Sequence, residues 1–541
     1  MKKIQILPHC FLRNEYLIIH FCFGFWVLLT ALSFPMASLP LIWLSFVPMV
    51  YIIHCLPLKK IVKYGFFWSL VYYFATLFWL IAFHEASIFF VFPLYAMYST
   101  LAMMLIRYVS MKFKLIRFLI FPLIWMAFEV FRGIGFLGFR WNTPADALWK
   151  QIIFLQSADI VGSAGVGFLV LLVNSIFAEF GLQWQGSFSA TLKKIWWPVY
   201  LTLFLFLGNL VYGISALRQW DNFLGKVVPE KVALVQPNRP GHQQWDEDKK
   251  TMFLKFKDMV AQAKAQKADL VVQTEIMTLD YLWESLSIYG ENHPRNVYNK
   301  QLIELPKDFD IPMVLTHFAS DEALFSYNAA TFVSYSNNVM ETNIYRKIHI
   351  VPFGEWVPGS KHWKWLDSLL SQFGAAWASP GAELTVFETR DGRKFAMLIC
   401  FEDIFAVLGR LFVEKGIEFF VNATNDGWAY RWKFGSKTPL WQHLANTLHT
   451  SISLRRSIAR SVNTGITAVV HPTGRIDLSN IPEYQDGVFV VDVPIVPGGF
   501  RSLYVQLGWV LEYVIFFVSW SLSAIALVTD KKSAILRELL K

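Results

Sequence analysis

Long apolar runs, bounded by short basic clusters, constrain this chain more than any other feature. A helix rises about 1.5 Å per residue and a bilayer core is about 30 Å thick, so roughly 20 residues with few charges suffice to cross. Eight stretches qualify: Tyr16–Phe34, Leu39–Leu58, Tyr64–Phe83, Ala86–Ile106, Leu115–Phe131, Val161–Leu182, Trp196–Ile214 and Tyr504–Leu527. The fifth is short and carries Arg117 and Glu129 near its ends. The first is too long, and too soon followed by the second, to be a cleaved leader. With 55% hydrophobic and only 16% charged residues, 541 residues are too apolar for one ordinary soluble domain.

Basic residues then set an orientation. If Lys2 and Lys3 lie in the cytoplasm, Lys59/Lys60/Lys63, Arg107/Lys112/Lys114, Lys193/Lys194 and Lys531/Lys532 fall on the same side. The opposite loops Met36–Ser38 and His84–Glu85 carry no Lys or Arg. Three parts are therefore expected: seven spans in residues 1–215, an extracytoplasmic segment 216–503, and an eighth span with a short tail in 504–541. Clusters of this kind also account for much of the net charge of +9, so no nucleic-acid partner is expected.

The outer segment changes period. Val232–Gln236, Leu270–Gln273, Met313–Thr316, Ala330–Tyr335, Phe395–Cys400, Phe419–Asn422, Thr467–His471 and Val488–Val493 read as strands. Lys249–Gln266, Phe405–Lys415 and Trp441–Val462 read as helices between them, and such alternation predicts an α/β domain with layered sheets. Arg455, Arg456 and Arg460 on the last helix are expected to form a solvated face, with anionic headgroups as the alternative. Gly133-Ile-Gly135-Phe-Leu-Gly138 matches GxGxxG, but it follows a membrane helix rather than a strand, so no dinucleotide site is expected. Glu129 and Arg132, one helical turn apart, are placed to pair at the membrane edge, as a functional or a purely structural couple.

Of the 4 cysteines, only Cys400 lies away from an expected span. A lone cysteine builds neither an intradomain disulfide nor a thiolate metal cage, which leaves a buried apolar filler or a nucleophile. It stands at the end of a strand-like run, in KFAMLICFED. Glu275 ends another, in VVQTE, and Lys347 lies in YRKIHIVPFGE, a loop punctuated by Pro352 and Gly354 and closed by Glu355. A carboxylate, a lysine and a thiol at strand ends suit nucleophilic acyl transfer if they converge. Each also has a plainer reading: Glu275 as a helix cap, Lys347 as a surface lysine, Cys400 as core.

The segment resembles the nitrilase, or carbon–nitrogen hydrolase, superfamily, and the whole chain is similar to its membrane members, the apolipoprotein N-acyltransferases. In the membrane half the likeness rests on Glu129/Arg132, the loop Gly135–Trp141, and Gln156 with Gly162, Gly165 and Asn174. In the outer half it rests on VALVQPN with Trp245, KIHIVPFGEWVP, LICFED, NATNDGW, Gln442-His443 and VNTGITAVVHPTGR. The resemblance implies an eight-helix transmembrane bundle joined to an extracytoplasmic nitrilase-like αββα sandwich. It assigns Glu275 as general base, Lys347 as oxyanion stabiliser and Cys400 as nucleophile, supported by Glu355 and Glu402, with Trp245 in the substrate region. Glu402, beside the thiol, is expected to orient Lys347 or a substrate amine, or else to be a simple helix-start acid.

The same resemblance implies a function. The acyl donor is a membrane phospholipid, and the acceptor is the α-amine of a diacylglyceryl-cysteine lipoprotein. The enzyme is a monomer in a bacterial inner membrane with its catalytic domain on the periplasmic side, and it uses no metal or cofactor. Trp356–Leu370 would serve as a lid dipping into the interface, or as ordinary loop packing. A tethered amidase acting on a soluble substrate and a non-catalytic lipoprotein-binding scaffold are the alternatives. Three departures touch the site: Gln273-Thr274 where the family has Trp-Pro, Phe401 where it has tyrosine, and an interrupted Asn425-Asp426-Gly427-Trp428-Ala429-Tyr430 loop.

Overall fold

A computed structural model describes residues 11–529 apart from 36–38, 84–86, 136–137, 240–244, 323–324, 353–354, 428, 430–436 and most of 356–377. The expected lid Trp356–Leu370 therefore lies largely outside the described residues. The chain divides into two units. A helical one comprises residues up to Ala216, Lys437–Ala445 and those from Gln506 onward; an α/β one comprises Leu217–Ser436 and Asn446–Val505.

Among the described residues five helices are long and apolar enough to cross a membrane: Asn14–Ser33, Ile88–Lys112, Ala158–Leu182, Trp196–Leu224 and Tyr504–Thr529. The other three expected spans form shorter pieces. Leu39–Leu58 gives Ile42–Ser45 and Val47–Cys55; Tyr64–Phe83 gives a π-turn at Ile61–Gly65, then Phe66–Leu77 and Leu80–Phe83; Leu115–Phe131 gives the 16-residue Arg117–Arg132. Backbone polar groups away from water need internal partners. At the break around Phe46 the buried Asn174 supplies them, accepting from Phe46 N at 2.8 Å and donating to Ile42 O at 2.9 Å. Glu129 and Arg132 do pair, at 2.5 Å, and Arg132 also donates to Trp141 O at 2.8 Å.

The α/β unit holds two sheets. The first contains β1 (Glu230–Gln236), β2 (Leu270–Val272), β3 (Thr278–Tyr281), β4 (Met313–Ser320), β5 (Ser326–Ser336), β6 (Val339–Arg346) and β13 (Gly487–Val493), in the order β13-β1-β2-β4-β5-β6 with β3 on β4. The second runs β12-β11-β10-β9-β8-β7: β7 is Phe387–Glu388, β8 Lys394–Ile399, β9 Phe419–Thr424, β10 Ser457–Val462, β11 Ala468–Val470 and β12 Ile476–Leu478. Parallel pairing joins β1-β2-β4, with β3 also parallel to β4, in one sheet and β8-β9-β10 in the other. Strands buried on both faces read as unbroken apolar runs, as VALV in β1, LVV in β2 and FAMLI in β8 do. The sheets meet face to face, where Ser461 on β10 donates to Val235 O and Val272 O and the Phe332 and Phe395 rings lie 5.6 Å apart. Helix Trp245–Ala265 covers the outer face of the first sheet through Phe253, Phe256 and Val260.

One expected helix is corrected. Trp441–Val462 is not continuous: the helix spans Thr438–Leu454, turns at Arg455 with φ +50°, and becomes β10. The solvated arginine face is corrected with it, since Arg455, Arg456 and Arg460 are 0–1% exposed. Serine and arginine between apolar residues imitate an amphipathic helix in sequence. Here the polar groups are instead met inside, Arg456 by the carbonyls of Ile417, Arg455, Pro497 and Phe500.

Candidate active site

Each sequence-flagged residue lies just beyond a strand end. Glu275 follows β2 in a loop pinned to β4: Thr316 N donates to Gln273 Oε1 at 2.8 Å, and the Thr316 hydroxyl donates to Thr274 O. The unusual Gln273-Thr274 pair thus fixes the loop through its own polar groups. Directly after Glu275, Ile276 takes a left-handed φ of +43°, a costly conformation for a β-branched residue. Lys347 follows β6, held by Lys347 N to Asn328 O at 2.8 Å and Gly381 N to Lys347 O at 2.7 Å.

Cys400 is delivered by β8 onto a short 3₁₀ turn, Cys400–Ile404, and its own φ is +56°. A non-glycine residue there stores strain on the order of 1–2 kcal/mol, the form of a nucleophile elbow that lifts a side chain off a strand end. Asn422 on β9 holds the bend by donating from Nδ2 to Leu398 O at 3.0 Å and Cys400 O at 2.8 Å.

These loops bring the charges together. Lys347 Nζ, fully buried, contacts Glu275 Oε1 at 3.2 Å and Glu355 Oε1 at 2.9 Å. Asn328 Nδ2 bridges the same two oxygens at 2.9 and 3.2 Å. Glu275 Oε2 accepts from Asn425 N at 3.1 Å, and Glu355 Oε2 from Val351 N at 2.7 Å. Burial works against the Lys347 ammonium, but Glu275 and Glu355 outweigh it and hold its pKa well above the lysine range. Burial raises the Glu275 carboxyl, with Lys347 opposing and Glu355 adding. Burial, then the Glu275 carboxylate, push the Cys400 thiol well above its ordinary value, with Lys347 opposing. Cys400 at rest therefore carries a neutral thiol, not a preformed thiolate.

That protonation state has a direct readout. Iodoacetamide at pH 7 is expected to modify Cys400 more slowly than free cysteine, with a rate that climbs on the alkaline side, by peptide-resolved mass spectrometry. A plateau of fast modification already present at pH 6–7 would contradict it.

Glu402 is fully buried and, as the helix-start acid that was one of its two expected roles, accepts from the backbone that opens the Cys400 turn. It accepts from Tyr345 Oη at 2.9 and 3.0 Å, Ile348 N at 2.9 Å, His349 N at 2.8 Å and Ile399 N at 2.7 Å. Burial pushes its carboxyl up to about 7 against these donors. Among the described residues it makes no hydrogen bond to the Lys347 ammonium; it ties the backbone just after Lys347 to the start of the nucleophile turn. Phe401 turns its ring to Lys347 Nζ at 5.5 Å, and His349, neutral with a pKa lowered to about 4 chiefly by burial, meets it edge-on at 5.7 Å. Trp245 opens helix Trp245–Ala265, but its side chain lies outside the described set.

Other motifs go elsewhere. Gln442 belongs to the helical unit, where its Oε1 accepts from the indoles of Trp79 at 2.8 Å and Trp141 at 3.0 Å, and His443 packs against Trp141. Asn328, Tyr345, Asn422 and Asp403 were not singled out from sequence. The signal was present for Asn328, a buried amide in the apolar strand SYNAATFVSYS. Asn328→Leu, which keeps the bulk but removes the shared donor, is expected to lower single-turnover acylation about 10–100-fold. An unchanged rate would show that Lys347 alone keeps the two carboxylates in place.

Comparison with known proteins agrees with this architecture. Residues 27–176 match the family model described as apolipoprotein N-acyltransferase N-terminal domain, and residues 231–496 match that of carbon-nitrogen hydrolase. An apolipoprotein N-acyltransferase of Geobacter metallireducens is 28% identical over 506 residues, covering 90% of this chain and 91% of that one. Two from Treponema denticola are 24% identical over 86% of this chain and 87% of theirs, and 29% identical over 80% and 82%. With an N-terminal match to the apolipoprotein N-acyltransferase model and a carbon–nitrogen hydrolase match after it, the chain is similar over most of its length to apolipoprotein N-acyltransferases.

Proposed function

We propose that this protein N-acylates lipoproteins by a ping-pong reaction at Cys400. The observation that carries the reading is the buried Glu275–Lys347–Glu355 cluster in the same unit as a strained, strand-end cysteine. In the first half-reaction Cys400 Sγ attacks an ester carbonyl of a membrane phospholipid while Glu275 takes the thiol proton. Lys347 stabilises the tetrahedral oxyanion, with backbone N–H groups of the turn assisting. The carbon–oxygen bond breaks, the proton passes to the leaving alkoxide, and a lysophospholipid departs from a thioester. In the second half-reaction the α-amine of a diacylglyceryl-cysteine attacks the thioester, Glu275 removes its proton, and the thiol is restored as the amide forms.

Membrane placement completes the proposal. In this reading the chain crosses eight times, the shorter Ile42–Cys55, Ile61–Phe83 and Arg117–Arg132 segments counting with the five long helices, and the basic clusters of the sequence support a periplasmic α/β unit at a bacterial inner membrane. The enzyme works as a monomer without a cofactor. The test is incubation of the membrane-embedded protein with a phospholipid labelled in its acyl chain, then hydroxylamine. A hydroxylamine-sensitive adduct that passes its label to a diacylglyceryl peptide supports the mechanism, whereas absence of adduct in the wild type overturns it. Adduct that decays only by hydrolysis would instead make the protein a lipase- or amidase-like enzyme.

A further inference from the structure

Four buried arginines lie among the described residues of the α/β unit, and one is unlike the rest. Arg456 is met by four carbonyls and Arg460 by Asp403, while Arg455 donates to Pro472 O. Arg239, only 7% exposed, has no carboxylate partner among the described residues. Among the described residues the one contact of its guanidinium is a long one, Nη2 to Ile276 O at 3.4 Å, and Nη1 is buried with no hydrogen-bond partner there. Burial alone lowers its pKa to about 10, with no neighbouring charge to offset it. An uncompensated buried cation is costly, so a fold keeps one only where something else meets it.

Its position indicates what that is. The Arg239 backbone is clamped by Asn463: Arg239 N donates to Asn463 Oδ1 at 2.8 Å, and Asn463 Nδ2 donates to Arg239 O at 2.8 Å. Asn463 Nδ2 also donates to Asn425 Oδ1 at 3.0 Å, and Asn425 N donates to Glu275 Oε2 at 3.1 Å. The guanidinium thus rests on the residue following Glu275, and its main chain is three hydrogen-bonded links from the Glu275 carboxylate, through Asn463 and Asn425. In a phospholipid the phosphate diester stands one glycerol backbone away from the ester carbonyls. A site that cleaves such an ester at Cys400 needs an anion receptor at about that remove, and guanidinium is the side chain best shaped for phosphate oxygens.

We propose that Arg239 is a substrate-recognition residue, taking the phosphate diester of the acyl donor on its unpartnered Nη1. This rests on the phospholipid-dependent acylation proposed above. A residue retained for an anion, rather than for packing, has two signatures: its loss weakens anionic donors selectively, and neutralising it does not destabilise the empty fold.

The experiment uses the full-length protein in mixed micelles, with adduct formation from a diacyl phospholipid and from p-nitrophenyl palmitate, a neutral ester. Arg239→Gln is expected to raise the KM for phospholipid about 10- to 100-fold, the loss of one charge-assisted hydrogen bond, and to leave the neutral ester unchanged. Arg239→Lys should recover part of the loss, and Arg239→Met should melt at or above the wild-type temperature. Equal losses with both donors, together with a lower melting temperature, would make Arg239 structural and overturn the assignment; so would an unchanged KM. Inorganic phosphate distinguishes the source of the anion. Competition confined to wild type and weak beside phospholipid supports a headgroup site, while strong competition with no KM change in Arg239→Gln assigns a free-anion site instead. A wild type that forms no adduct with phospholipid, yet reacts with the neutral ester, defeats the functional proposal itself before any variant is compared.

Discussion

Cys400→Ala is expected to abolish both the acyl adduct and transfer, to below about 10⁻⁴ of the wild-type rate, with the fold intact. Covalent catalysis divides one difficult acyl transfer into two steps through a thioester, and no other residue can replace the sulfur. Substitution should also be benign for stability. Alanine removes only Sγ from a partly exposed position and relieves nothing else, because the strain resides in the backbone at φ +56°, where Asn422 holds the carbonyl. The measurement is label retention from the phospholipid alongside a thermal melt in detergent. Residual adduct on the alanine variant would move the nucleophile elsewhere. An unchanged melt with no adduct separates lost chemistry from lost folding.

The largest effect on stability is expected three residues further on. Asp403 is completely buried, ion-paired with Arg460 Nη1, and accepts from Thr447 Oγ1 at 3.0 Å. Arg460 Nη1 contacts the same hydroxyl at 2.6 Å, so one network joins the nucleophile turn, helix Thr438–Leu454 and β10. Removing one partner of a buried ion pair leaves the other charge stranded, at a cost of about 3–5 kcal/mol. Asp403→Ala should therefore lower the melting temperature of the α/β unit by about 10 °C. It should also depress acylation, because the turn presenting Cys400 loses its anchor. The double variant Asp403→Leu/Arg460→Met should recover much of the stability, since neither charge then remains buried. Recovery of the melt without recovery of the rate would show that the pair positions Cys400 as well as supporting the fold.

Much of the candidate site is legible in the chain itself. Apolar runs that end in a single chemical residue, LICFE and VVQTE, mark strands delivering side chains to a rim. What failed was reading beyond 454. There, alternating serine, arginine and apolar residues fit a helix face as well as a buried strand, and only the tertiary partners of three arginines decide between them. Asn328 and Tyr345 were missed for a related reason. Polar residues inside apolar strands look like interruptions until the groups they meet, here Glu275, Glu355 and Glu402, are brought across from distant positions. The shorter membrane helices escaped too, because hydropathy registers apolar length and not the breaks at Phe46 and Phe78.

The first sheet supplies Glu275 and Lys347, and the second supplies Cys400. Neither sheet holds all three; the proposed catalyst belongs to the seam between them, stitched by Asn425 N on Glu275, Glu402 on the Ile348–His349 backbone, and Ser461 on Val235 and Val272. A shear of one sheet past the other by a fraction of an ångström would leave every strand paired and yet detune the chemistry. Under the proposed mechanism activity is thus a gauge of interlayer alignment, so changes in the inter-sheet core, at Phe332 or Ser461 for instance, are expected to register as slow catalysis before they register as unfolding.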